Sequence, residues 1–120
     1  MTYALWNKTK NRLLVERLFL AKTTLQKMKG LLGRTGLELN EGILLEHCRS
    51  IHTCFMKFPI DAVFVDSGLR VTKIISNLKP WRLACAWAAS HCIEVAAGTL
   101  TMEKLEVNDQ LRLEKSPQVF

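Results

Sequence analysis

The chain has 120 residues, 48% of them apolar and 23% charged, which is enough for one hydrophobic core and too apolar for a disordered tail. No apolar run approaches the roughly 18 residues a membrane-spanning helix requires, and no charged-then-apolar leader opens the sequence, so one soluble, cytoplasmic domain over residues 1–120 is expected. Seventeen Lys and Arg against eleven Asp and Glu give a formal charge of +6, and up to Arg34 eight basic residues are opposed only by Glu16.

In chain order, Arg12 to Lys22 mixes leucines with Val15 and Phe19 and reads as a strand. Thr23 or Thr24 caps a short amphipathic helix in which Leu25, Met28, Leu31 and Leu32 share a face and Gly33 stands at the stop. From Gly42 the texture changes to brief runs rich in Ile, Val and Phe. Ile43 to Glu46, Ile51 to Phe58, Ala62 to Asp66, Leu69 to Ile75, Cys92 to Ala96 and Gln110 to Leu113 read as strands. Asp66-Ser67-Gly68 is expected to form a hairpin turn with the glycine at positive φ, and Asn108-Asp109 a second turn. Residues 80–90 read as an irregular segment, and Thr101 to Leu105 as one further helical turn. The fold expected is mostly β, with α+β as fallback: a compact antiparallel β-sandwich or squashed barrel with one short helix.

One residue stands out chemically. Asp61 is the only residue of FPIDAVFV that is not apolar, and it follows the bend that Pro59 imposes. An unpaired buried carboxylate costs several kcal/mol, so Asp61 either accepts backbone amides freed by that bend, or pairs with Arg49 or Arg82, or works at a pocket floor. The preceding run is apolar on both faces, with Ile51, Thr53 and Phe55 opposite His52, Cys54, Met56 and Phe58, which reads as a central strand. His52 could donate to a ligand, but two positions along a strand from Cys54 it is too far to make a nucleophile–base pair with it. Trp81 and Arg82 put a stacking plane beside a bidentate anion donor. Trp81 and Trp87 could equally cover the core. Glu94 reads as the wet face of a strand.

Cys48, Cys54, Cys85 and Cys92 lack the tight knuckle spacing of zinc sites and carry no export signal that would favour disulfides, so free thiols are preferred and no metal or cofactor is expected. The amino-terminal cations, from Lys8, Lys10 and Arg12 to Arg34, are spread between apolar residues and lack a nucleic-acid signature; nucleic acid is therefore not an expected partner.

Taken together, KGLLGR (29–34), GILLEHCRSIHTCFMKFPIDAVFVD (42–66), PWR (80–82), IEVAAGTL (93–100) and LEVNDQLRL (105–113) resemble the bacterial and archaeal family known as domain of unknown function 192. The resemblance implies a single small β domain with no established activity, and it singles out Met56, Pro59 and Asp61. Asn108 stands where the family commonly has Gly, and Leu32 where it commonly has Met. The leading functional expectation is a non-enzymatic binding or accessory module for a small polar ligand or peptide, with Asp61, His52, Met56, Trp81 and Arg82 as binding residues. A small hydrolase or lyase using Asp61 with His52 is the alternative. A protein–protein adaptor whose basic amino-terminal face meets an acidic partner is the third.

Overall fold

A computed structural model describes residues 2–21, 36–54, 56–101 and 103–115. Every regular element among them is a strand. β1 (Thr2–Asn7), β2 (Arg12–Ala21), β3 (Glu41–Leu45), β5 (Ile60–Val65), β6 (Val71–Leu78), β8 (His91–Ala96) and β9 (Leu111–Lys115) form one seven-stranded sheet in the order β6-β5-β8-β3-β2-β1-β9. β4 (Ser50–His52) and β7 (Leu83–Cys85) form a separate two-stranded ribbon.

The sheet curls into a half-barrel, and its two edge strands are tied at one corner by an isolated bridge and loop hydrogen bonds. Arg70 bridges Gln110, the Leu111 N–H donates to Leu69, and the Val71 N–H donates to Asp109. Asn7 locks that corner: its buried amide donates to the Asp109 carboxylate at 2.7 Å and to the Lys104 carbonyl at 2.8 Å. A core drawn from all seven strands, including Leu5, Leu18, Leu44, Val63, Val71, Ile93 and Leu111, fills the inside of the curl. A second core lies on the outer face, where Ile60, Ala62, Phe64 and Cys92 of the sheet meet Ile51, Met56, Ala84, Ala86 and Ala89 from the ribbon side. β5 is buried along its whole length, and its alternation sends Val63 and Val65 inward and Phe64 outward. Gly42 marks the tightest approach, since a Cβ there would stand 2.9 Å from Val95 Cγ1 and 3.1 Å from the Glu94 carbonyl oxygen.

Mostly β holds, but the antiparallel sandwich or squashed barrel with one short helix does not. The main sheet is a single curled layer, and β2 runs parallel to β3, from Arg17↔Glu41 to Ala21↔Leu45. A parallel pair needs a long crossover, here residues 22–40, and the helix expected at Thr23–Gly33 falls within that crossover, outside the described residues; no helix stands among the described ones. The strand expected over Ile51–Phe58 ends at His52 and lies in the ribbon, so it is not central. β1 and β7 fall outside the strands expected from the sequence. The Asp66 hairpin is present, but Leu69 takes the positive φ of 66° instead of Gly68. Asp66 builds that turn by accepting the Gly68 and Arg70 amides at 2.9 Å. Asn108 does take left-handed geometry, with φ 78°.

Candidate functional site

The ribbon begins with its alternation. Ile51 and Ala84 point down into the outer-face core, while their neighbours Ser50, His52 and Leu83 are exposed. Directly opposed pairs are Ser50↔Cys85 and His52↔Leu83. Small alanines at 84, 86 and 89 supply the burial, and the large side chains go outward: Trp81 is 58% exposed, Leu83 76% and Trp87 80%. Trp81 and Trp87 therefore do not cover the core.

Thr53, completely buried, ties this surface together. Its hydroxyl donates to the Lys79 carbonyl at 2.6 Å and accepts the Arg82 N–H at 2.8 Å, and its carbonyl accepts the Trp81 N–H at 3.1 Å. Those bonds hold Trp81 at φ 63°, a left-handed conformation that costs a bulky residue on the order of 1–3 kcal/mol. Beside it, among the described residues, the exposed Arg82 guanidinium makes long contacts of 3.3 and 3.4 Å to the Trp81 and Pro80 carbonyls of its own loop. Along the far side of β7 runs an open groove of about 350 Å³ lined by Thr72, Lys73, Cys85, Ala86, Trp87 and Ala88.

Asp61 lies elsewhere. It sits on the inner face of β5, 1% exposed, where one carboxylate oxygen accepts the Asn77 N–H at 2.8 Å and the other accepts Gly98 at 3.0 Å and Leu100 at 3.4 Å. The Asn77 amide is available because β6 bulges there: the register slips between Ile60 and Ala62, and Asn77 has φ 53°. The amides thus come from neighbouring strands and turns, not from the Pro59 bend, and no arginine pairs with this carboxylate among the described residues. Met56 is 6% exposed, under the ribbon. Of the expected binding residues, His52, Trp81 and Arg82 come together on the ribbon, Met56 packs beneath them, and Asp61 faces the other side of the sheet.

Two further titratable features lie on or beside the sheet. Glu94 is buried at 6% exposure on the outer face between Ile43 and Ala62, not on a wet face, and burial pushes its carboxyl up to about 7. At the adjacent turn the His47 N–H donates to His91 Nδ1 at 3.0 Å; burial and then the His47 charge lower the His91 pKa, against a raising contribution from Glu46. None of the four cysteines forms a disulfide and only Cys92 is fully buried; burial, then Glu94 and Cys48, hold that thiol well above its usual range. No three metal-ligating side chains converge among the described residues. Nor is any helix among them long and apolar enough to cross a membrane.

A curled seven-stranded sheet carrying a ribbon on its outer face defines a small β domain of a kind seen before. A structure from Novosphingobium aromaticivorans described as a protein of unknown function superposes with TM-score 0.78 at 21% identity, over 93% of this chain and 84% of that one. A putative transcription regulator from Sinorhizobium meliloti does so with TM-score 0.80 at 19% identity, over 92% and 91%. At such identities the likeness is one of fold. The sequence relatives are archaeal: a UPF0127 protein of Thermococcus sibiricus is 28% identical over 88% of this chain and 71% of its own length. One of Pyrococcus horikoshii is 39% identical over 52% of this chain and 55% of its own, so the match spans little more than half of that relative. The model of DUF192, described as an uncharacterized ACR, matches residues 5–113, and the chain belongs to that family.

Proposed function

We propose that this domain is a cytoplasmic binding module and that the β4–β7 ribbon is its working surface, taking a peptide or small polar ligand. One observation carries the reading: Trp81, Leu83 and Trp87 stand 58%, 76% and 80% exposed within one short stretch, beside an exposed Arg82. Scattered exposed apolar residues need no explanation, but three large ones between residues 81 and 87 with exposed Arg82 among them call for one. The strained Trp81 backbone, held in place by the buried Thr53, supports the same reading, because strain persists where its surroundings fix it. Asp61 enters as a pin for the sheet, not as a ligand contact. The hydrolase or lyase alternative loses its pair, since Asp61 spends both oxygens on inner-face amides while His52 points outward on the ribbon. The basic amino-terminal face is weakened as a docking site too: Lys10 lies 3.5 Å from Glu106, and Arg17 3.0 Å from Glu38.

An array of random short peptides, with a panel of small anions read by thermal shift, tests the proposal. The wild type should capture a ligand class that a folded Trp81→Ala/Leu83→Ala variant does not. Capture that is indifferent to those changes, or turnover of array members, contradicts it.

A further inference from the structure

Resting on the ribbon as the binding surface, we infer that its partner is an acidic, extended polypeptide segment laid against the outer edge of β7. Residues 47–60 and 71–93 contain Arg49, Lys57, Lys73, Lys79 and Arg82 and no Asp or Glu, and all five cations are exposed. Two stretches that carry five exposed cations and no acid of their own set the sign of what they attract.

The strand edge sets the partner's form. Among the described residues β7 pairs with a strand, β4, on one side only. The Ala86 N–H donates to Arg49 and the Thr53 N–H to Arg82, a ladder pattern that turns the main-chain groups of Leu83 and Cys85 to the far side. There the Cys85 carbonyl accepts the Lys73 ammonium at 2.8 Å, at the groove beside Trp87. An incoming strand exchanges that one flexible ammonium for main-chain partners and leaves Lys73 to meet a carboxylate. A lipid headgroup offers no partner to a strand edge, and a nucleobase stacked on Trp81 or Trp87 would leave that edge and Leu83 unused. A peptide uses the edge, the apolar row and the cations at once.

Fluorescence-polarisation titrations of the full chain test this with labelled peptides alternating Asp or Glu with Val or Leu. Comparison arms are the same peptides N-methylated at alternate amides, peptides with Lys in place of the acids, phosphatidylserine vesicles and oligothymidylate. The acidic peptides should bind, weaken about tenfold on N-methylation, and weaken about tenfold again against a Lys73→Glu or Arg82→Glu variant. Lys-substituted peptides should not bind. Equal affinity for the N-methylated peptides overturns strand addition, and preference for vesicles or oligothymidylate overturns the partner class. If the acidic peptides fail while array capture still depends on Trp81 and Leu83, this inference falls and the binding reading stands. If nothing depends on the ribbon, both fall.

Discussion

The two faces of the β5–β8 pair each bury one acid, and they treat it in opposite ways. On the inner face Asp61 accepts three backbone amides. On the outer face Glu94 has no hydrogen-bond partner among the described residues, and its carboxyl is pushed up to about 7 by burial. Burial is similar, at 1% and 6% exposure, so burial does not decide the outcome. Spare donors do. The bulge at Asn77 and the turn after Ala96 free N–H groups toward Asp61, whereas Glu94 sits in a regular ladder, between Ile43 and Ala62, whose amides are already spent. An acid beside irregular backbone is a pin; an acid inside a regular ladder keeps its proton to higher pH.

The contrast is sharpest at Asp61. Asp61→Ala leaves three amide donors without their acceptor and should cost about 4 kcal/mol in urea unfolding; a loss under about 1 kcal/mol would erase the difference between the faces. Next is Glu94→Gln. A folded pKa near 7 against an ordinary 4.5 means the native state holds this proton more tightly than the unfolded chain. Stability from this group is therefore full below pH 4.5, falls as pH rises through the window from 4.5 to 7, and stays low above it, a decline of about 3 kcal/mol. Glu94→Gln should remove that decline and be the more stable protein at alkaline pH, with little difference in acid; a variant that unfolds first in alkali contradicts the assignment. Thr53→Val, which strips acceptor and donor from Arg82 and Lys79, should cost about 2 kcal/mol. Smallest of all, Trp87→Ala should leave stability within about 0.5 kcal/mol, as expected of a side chain that covers no core.

How much of this the sequence revealed varies by residue. β5 and β8 are legible because long apolar runs rich in Val and Ile admit few other readings, and Asp61 is legible as the one polar residue in such a run. Its donors are not, because they lie 16, 37 and 39 residues away and are backbone groups that any residue type could supply. Glu94 misleads for a related reason: alternation along CIEVAAG separates two faces but cannot tell that the second face is also covered. The run after Ile51 looks like one long strand until the Thr53 hydroxyl bonds the loop at Lys79 and Arg82 and stops it at His52. The ribbon surface did leave a signal. In RLACAW the small residues at 84 and 86 alternate with Leu83, Cys85 and Trp87, and a small-in, large-out period is readable as a half-exposed strand.

Amide proton–nitrogen correlation spectra, recorded while the tightest-binding array peptide is titrated in, separate a working ribbon from a working carboxylate in one experiment. Perturbations should gather at His52, at Thr72 and Lys73, and along Arg82 to Trp87, with the Asn77, Gly98 and Leu100 amides unmoved. Shifts centred on those three amides around Asp61, with the ribbon silent, would contradict the account.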